Sequence, residues 1–493
     1  MIKMDNVSFS YRGGDRAGGV EGIDLEIPTG QVVVLCGESG CGKTTLTRLV
    51  NGLAPEYYEG ELAGAVSIDG TVVSKTPLPI VSRKVGSVFQ NPRSQFFNVG
   101  TTDEIAFGCE NQGLPAEEIY RRIGHAADEI GVRPLLDRSL FALSGGEKQK
   151  IACASVSAME PDVFVLDEPS SNLDISTIAD LKETVRAWKR AGKTVVVAEH
   201  RLYWLMDVAD RVVYLRDGRI AEDWAVEEFR RLPDGELAAR GLRSLHPASF
   251  AGRALPPKVG GEGPRLVVEG LSFGYGRDPA IDIERLNLPV GEVVGVLGPN
   301  GAGKTTFARC LCGLEKRAKG KIALGGSQHP LSCATGKGYL VMQDVSHQLF
   351  TESVLDEVLL SFPGDDAPRD RERVAELLGK LGLEGLAGAH PMSLSAGQRQ
   401  RVAIASAKAS GKDLVVFDEP TSGLDFVRMG EVAECLAGLA SEGKAVLVIT
   451  HDPELVFRCC SFFVFLEGGG VKWTGGWSDG ATERLARFFS SAT

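Results

Sequence analysis

Two stretches of this chain set a lysine and a threonine behind spaced glycines: Gly37-Glu38-Ser39-Gly40-Cys41-Gly42-Lys43-Thr44 and Gly298-Pro299-Asn300-Gly301-Ala302-Gly303-Lys304-Thr305. Both fit G-x-x-x-x-G-K-[ST], follow an apolar run and precede a stretch of helical character, the context in which such a loop cradles phosphates. Glycines let backbone N–H groups curl around an anion, and the helix N-terminus adds partial positive charge. Lys43 or Lys304 would then reach the β/γ-phosphates, and Thr44 or Thr305 could ligate Mg2+. Two matches in register argue against a pair of glycine-rich turns.

A second chemistry follows each loop. Val163-Phe164-Val165-Leu166-Asp167-Glu168 and Leu414-Val415-Val416-Phe417-Asp418-Glu419 end apolar runs in adjacent carboxylates, at the strand end where α/β sheets bind ligands. Asp167 and Asp418 would hold the metal, directly or through water, while Glu168 and Glu419 would polarise an attacking water. Alone, an acidic pair after a strand also fits a helix cap. Its spacing to the glycine loop favours the chemistry.

These elements belong to a duplication. The glycine loops are offset by 261 residues, Gln90 and Gln343 by 253, and Ser144/Ser395, Asp167/Asp418 and His200/His451 all by 251. The first copy has eight more residues between its glycine loop and its glutamine. The spacing predicts a first domain over 1–235, a Gly-, Ala- and Pro-rich linker over 236–264 and a second domain over 265–493. Within each copy, runs such as Val32-Val33-Val34-Leu35 and Val195-Val196-Val197-Ala198 lack polar alternation, as do parallel strands buried on both faces. Amphipathic stretches between them read as crossover helices, so the fold class is α/β.

Bulk properties narrow the setting. With 493 residues the length allows two large α/β domains, and 43% hydrophobic with 24% charged residues describes a packed globular protein. No apolar run approaches the ~18 residues needed to span a bilayer, so a membrane role would come through a partner, without direct membrane insertion. Met1 to Asp5 lacks the apolar core of a signal peptide, so the chain is expected to stay where it is made. Ten cysteines without CxxC spacing indicate reduced thiols rather than a disulfide scaffold or zinc site. A net charge of −11 disfavours nucleic-acid partners and direct docking on anionic lipid.

Leu143-Ser144-Gly145-Gly146-Glu147-Lys148-Gln149 and Leu394-Ser395-Ala396-Gly397-Gln398-Arg399-Gln400 resemble the signature motif of the ABC ATPase family, placed just upstream of the acidic pairs as that family has it. The resemblance covers nearly the whole chain outside the linker. It implies two P-loop NTPase domains of ABC ATPase type, each with a largely parallel core sheet, an antiparallel β part and a helical signature subdomain. It also implies ATP and Mg2+ as cofactors, bound in two composite sites of a head-to-tail sandwich.

One site would join Gly37, Gly40, Gly42, Lys43, Thr44, Thr45, Gln90, Asp167, Glu168 and His200 to Ser395 and Gly397. The other would join Gly298, Gly301, Gly303, Lys304, Thr305, Thr306, Gln343, Asp418, Glu419 and His451 to Ser144, Gly145 and Gly146. By the same resemblance Gln90 and Gln343 join Thr44, Asp167, Thr305 and Asp418 as metal ligands, and the catalytic residues are Glu168, His200, Glu419 and His451. Each histidine lies 33 residues beyond its aspartate and matches the family's switch histidine. Tyr11 and Tyr275 resemble the aromatic that stacks on adenine. Ser171-Asn172-Leu173-Asp174 and Ser422-Gly423-Leu424-Asp425 resemble the loop that couples the two sites.

Two departures separate the copies. Ala396 stands where the first copy has Gly145: costly if that position needs φ > 0, harmless if it is already helical. Cys41 stands where the second has Ala302, either a thiol acidified by a helix N-terminus or a small buried spacer. Because both glutamates and both histidines are present, two competent sites of modest asymmetry are expected.

The segments after the glutamines, Phe89-Gln90-Asn91-Pro92-Arg93-Ser94-Gln95-Phe96-Phe97 and Gln343 to Val354, resemble those of energy-coupling-factor (ECF) importers of vitamins, vitamin precursors and metal ions. That implies integral membrane partners, ECF-like transmembrane and substrate-binding components, docked on these segments at the cytoplasmic face of the cell membrane. Phe96, Phe97, Leu349 and Phe350 could line the receiving groove. Alternatives are the tandem ATPase of sugar importers, whose second site is usually degraded, and ribosome-associated tandem relatives, whose linker is long, charged and helical. DNA-repair relatives insert a coiled coil for which spans of 54 and 52 residues between glutamine and serine leave no room.

Overall fold

A computed structural model describes residues 1–12, 19–171, 173–246, 265–276, 279–334, 336–363, 367–477 and 480–490. The chain divides near residue 247 into two compact units. In the first, the β-branched runs assemble as a six-stranded sheet in the order Arg219–Ala225, Arg211–Arg216, Val32–Cys36, Thr194–Ala198, Val163–Asp167, Val85–Val88. All neighbours are parallel except the edge pair of Arg219–Ala225 with Arg211–Arg216. Val32, Val33 and Val34 are fully buried. Their side chains alternate between two cores, Val32 and Val34 in one and Val33 in the other, which is why the sequence shows no polar alternation.

Helix Ile175–Arg190 covers one face. Its Trp188 stacks on Phe164 at 3.9 Å between ring centroids and donates its indole N–H to Ser157 Oγ at 2.7 Å. The polar handle of the ring is thus paired while the ring itself is buried, a contribution of about 2–3 kcal/mol. A four-stranded antiparallel sheet, Val20–Ile27, Ile2–Tyr11, Gly60–Ile68 and Thr71–Val72, supplies the other core. Helices Thr101–Asn111, Ala116–Glu129 and Gly145–Ala158 pack on one another as a helical layer.

The second unit repeats the plan. Its six-stranded sheet runs Gly338–Val341, Leu414–Asp418, Ala445–Ile449, Val293–Leu297, Phe462–Glu467, Gly470–Gly476, and its antiparallel sheet runs Ile281–Pro289, Arg265–Phe273, Lys319–Leu324, Ser327–Pro330. The expected α/β architecture, a parallel-rich sheet with an antiparallel part and helices in each copy, is therefore what forms.

The segment read as a linker, 236–264, is structured at its start. Helix Asp234–Ala239 and residues Leu237, Leu242 and Leu245 join the first core, and Tyr214 donates its hydroxyl to Arg240 O at 3.0 Å. Apolar spacing at Leu237, Leu242 and Leu245 was the available signal. Residues 247–264, and Asn172 of the first coupling loop, lie outside the described residues. All ten cysteines are free of disulfides.

Candidate functional site

Each glycine loop connects a buried strand to a helix, Val32–Cys36 to Lys43–Val50 and Val293–Leu297 to Lys304–Leu311. Gly42 and Gly303, at φ 104° and 91°, cap those helices in the left-handed region. A Cβ at Gly42 would sit 2.6 Å from Val20 Cγ1, and one at Gly303 2.7 Å from Ala280 O, so conformation and space both require glycine. Gly40 and Gly301, also at positive φ, face open space. Lys43 Nζ donates to Gly37 O at 2.9 Å and Glu38 O at 3.0 Å; Lys304 Nζ donates to Gly298 O at 2.8 Å and Pro299 O at 2.9 Å. Both ammonium groups are thus held over the loop by its own carbonyls, where an arriving phosphate would compete for them.

The acidic pairs converge on the loops from Val163–Asp167 and Leu414–Asp418, each separated by one strand in the sheet from the strand that feeds its loop. Thr44 Oγ1 donates to Asp167 Oδ1 at 3.0 Å, and Thr305 Oγ1 to Asp418 Oδ2 at 2.8 Å. Gln90 Nε2 donates to Glu168 Oε2 at 2.7 Å. His200 Nε2 lies 3.2 Å from Glu168 Oε1, and His451 Nε2 lies 3.7 Å from Glu419 Oε1. Gln343 follows strand Gly338–Val341 as Gln90 follows Val85–Val88. Glu168 and Glu419 have φ of 45° and 50°, uncommon for a non-glycine residue and a form of strain that clusters at functional sites. Their amides donate across the sheet to Ala198 O at 2.8 Å and Ile449 O at 2.9 Å. This pins each glutamate beside the strand that delivers its histidine.

Burial, followed by repulsion from Glu168, pushes the Asp167 carboxyl up to about 7 against the opposing effects of Thr44, Arg48 and Lys43. Burial raises Asp418 too, opposed by Thr305, Lys304 and Arg309. Among the described residues no cluster of three His, Cys, Asp or Glu forms a metal cage. The local donors are instead a threonine hydroxyl, an aspartate and a glutamine, hard oxygens that fit a Mg2+ ion whose remaining ligands are phosphate and water.

The raised Asp167 value gives a signed prediction. The folded state binds this proton more tightly than the unfolded state does, so the stability it contributes is lost as pH rises from about 4 to about 7. Above that range a buried charge remains. Without added Mg2+, Asp167→Asn should be near neutral at about pH 4 and become stabilising as pH rises, by on the order of 4 kcal/mol at pH 8.5. Thermal unfolding measured across that range checks it; a pH-independent difference would contradict it.

The signature segments open helices Gly145–Ala158 and Ala396–Ala409. Ser144 and Ser395 are N-caps in capping boxes with Glu147 and Gln398, whose backbone amides donate to the serine hydroxyls, so the anion-facing end is made by the amides of Gly145 and Gly146 and of Ala396 and Gly397. Gly145 is the first helical residue, and an added Cβ there would meet nothing within 4 Å. Alanine at the matching position 396 is therefore compatible with the helix. Gly146 differs, since its Cβ would lie 2.5 Å from Thr177 Oγ1, whereas at Gly397 the nearest atom would be 3.7 Å away. Gly145→Ala should leave ATP turnover within about twofold and raise stability by about 0.5–1 kcal/mol; a stopped enzyme would show that the residue needs flexibility.

Cys41 is 6% exposed and packed among the apolar residues of the antiparallel-side core. Burial raises its thiol in spite of Lys43. Of the two readings of Cys41, the small buried spacer is the one this environment favours, because desolvation outweighs the nearby ammonium and loop amides.

Tyr11, half-buried, places its hydroxyl 3.0 Å from Thr45 Oγ1, while Tyr275 is 58% exposed and donates to Glu315 Oε1 at 3.4 Å. Arg48 and Arg309 went unremarked in the sequence, although both act on the buried aspartates. Their equal offset of 261 was the available signal.

After Gln90 the chain folds on two clamps. Gln95 accepts from Phe89 N at 3.3 Å and donates to Ser87 O at 3.1 Å; buried Glu104 accepts from Phe97 N at 3.0 Å and Asn98 N at 2.8 Å. The second unit repeats both, with Gln348 between Met342 N and Leu340 O and Glu357 under Phe350 N and Thr351 N. The four apolar residues split. Phe96 and Leu349 turn inward, while Phe97 and Phe350 are each 74% exposed. Phe96 and Leu349 therefore pack as core and do not line an open groove.

A sequence model of the family described as ABC transporter matches residues 20–171 and 282–422, each span running from before the glycine loop to just past the acidic pair. The chain belongs to the ABC transporter family. It is a tandem ABC ATPase, and family membership carries ATP binding and hydrolysis. A protein of Treponema denticola described as an ABC transporter ATP-binding protein is 44% identical over 475 residues, 96% of each chain. One of Methanosarcina acetivorans with the same description is 32% identical over 95% of this chain and 85% of its own. Among solved structures, one titled RNase-L Inhibitor is similar in fold, with a TM-score of 0.63 and 22% identity over 98% of this chain and 93% of that one. The fold alone does not fix what the ATPase drives; that is set by its surfaces.

Proposed function

We propose that this tandem ABC ATPase energises a membrane importer, of ECF type for a vitamin, vitamin precursor or metal ion, from the cytoplasmic face of the membrane. The observation that carries the reading is the repeated exposed phenylalanine. Phe97 and Phe350 stand at matching places on clamped loops next to the helical layers. Phe97 stacks on Phe107 at 5.0 Å beside a cavity of about 290 Å3 lined also by Arg83, Asn111 and Met159. A helix of a partner laying its apolar face there would bury such anchors. No helix among the described residues is long and apolar enough to cross a membrane, so the transport path would belong to that partner.

In the proposed cycle, Lys43 and the loop amides bind and orient the ATP phosphates, and Lys304 does the same in the second unit. Thr44, Gln90 and Asp167, with Thr305, Gln343 and Asp418, would hold Mg2+, which screens phosphate charge. Glu168 and Glu419 accept the proton of the attacking water, and His200 and His451 hold the γ-phosphate side. Gly37, Gly298, Thr45 and Thr306 complete the phosphate cradle, and Tyr11 and Tyr275 stack on adenine. The starts of the two signature helices, Ser144-Gly145-Gly146 and Ser395-Ala396-Gly397, would clasp the nucleotide of the other unit, as the family resemblance implies. Both sites keep their glutamate and histidine, which favours this reading over the sugar-importer tandem.

Copurification of the chain from native membranes, with identification of the bound proteins, tests the proposal. Small integral membrane proteins are expected. Recovery on ribosomes with no membrane protein would overturn the transport reading and leave the ATPase standing.

A further inference from the structure

The base ends of the two nucleotide sites are built differently. Between Gly52 and Gly64 the chain has eleven residues; between the matching Gly313 and Gly320 it has six. The longer segment carries Tyr57 and Tyr58, whose amides both donate to Leu53 O at 2.8 Å. The guanidinium carbon of Arg48 lies 3.7 Å from the centroid of the Tyr58 ring, and Arg48 Nη1 donates to the Tyr11 hydroxyl at 3.1 Å. Tyr11 is thereby held from two sides, by Arg48 and by Thr45. Tyr57 packs edge-on to Tyr58 at 5.0 Å and is 72% exposed.

In the second unit the same helix position holds Arg309, whose Nη1 lies 3.9 Å from Glu315 Oε1, the oxygen that also accepts from Tyr275. Arg309 therefore faces a carboxylate, whereas among the described residues no carboxylate pairs with Arg48. The extra segment has put an aromatic ring where the second unit has an acid.

We infer that Arg48, stacked on Tyr58, is a positioning residue that makes the first unit the retentive adenine-nucleotide site and leaves the second as the exchanging one. The inference rests on the reading that Tyr11 and Tyr275 stack on adenine. A ring already fixed by two hydrogen bonds surrenders little side-chain entropy when a base stacks on it, and the saved ordering cost appears as affinity. A guanidinium held over an aromatic face keeps its full positive charge toward an anionic ligand. Tyr275 is exposed and tied to a carboxylate, so it must be ordered on binding, and Glu315 repels the phosphate-bearing ligand.

Calorimetric titration of the full chain with Mg2+–ADP, which lacks the γ-phosphate through which the two sites would couple, should resolve two binding classes about tenfold apart. Arg48→Ala should weaken the tight class alone by about tenfold, Tyr58→Ala by several fold, and Arg309→Ala should leave the tight class within twofold. Arg48→Lys, which retains a cation and a donor, should recover part of the loss. Tyr11→Phe combined with Arg48→Ala should weaken binding no more than Arg48→Ala alone, because both remove one coupling. If Arg48→Ala moves both classes equally or neither while Tyr11→Ala weakens the tight class, the positioning role falls and stacking survives. Loss of neither class in Tyr11→Ala would overturn the stacking reading, and this inference with it.

Discussion

Replacing Glu168 by glutamine should cut steady-state ATP hydrolysis at the first site by roughly 10²- to 10³-fold, and Glu419→Gln should do the same at the second, with nucleotide binding preserved. The amide keeps the shape of the side chain but cannot take a proton from water. In both units the glutamate occupies the same unusual backbone position, φ 45° and 50°, and in both a histidine lies within 4 Å, at 3.2 and 3.7 Å. The looser second pair predicts a modest difference between the variants rather than one silent site. Single-turnover hydrolysis with each variant measures this directly. If either variant turned over like the unaltered protein, its site would not be a working one, and equal competence would be refuted.

The second large effect concerns coupling. Phe97→Asp together with Phe350→Asp should reduce recovery of the membrane partner by more than ~30-fold, since two buried aromatic anchors are each worth about 2 kcal/mol or more. Basal ATP hydrolysis should stay within about twofold, because both side chains are exposed and their backbone amides remain clamped by Glu104 and Glu357. Copurification and ATPase rates on the same preparations give both readings. Undiminished partner recovery would remove the phenylalanines from the docking surface; a lost ATPase would show that they support the fold.

Much of the molecule is legible in the amino-acid sequence. The glycine loops, the strand-terminal acids and the histidines are short motifs whose chemistry is carried by residue type and spacing. Duplication at nearly constant offset made each copy a check on the other, and continuous apolar runs specified strands covered on both faces. What escaped the sequence is of another kind. Phe96 and Phe97 are neighbours of the same type, yet one packs inward and the other is exposed, because Gln95 and Glu104 set the turn of the loop around them.

The sequence by itself determined a twice-repeated α/β domain with phosphate-binding loops, paired acids and a signature segment, since these depend on neighbours a few residues apart. Only the tertiary structure decided that Gly145 is already helical, that Cys41 is a buried spacer and that Asp167 titrates near 7. It also decided that Arg48 faces an aromatic ring while Arg309 faces an acid. Those properties come from desolvation, close approach and electric fields summed over residues far apart in the chain, which local pattern does not encode.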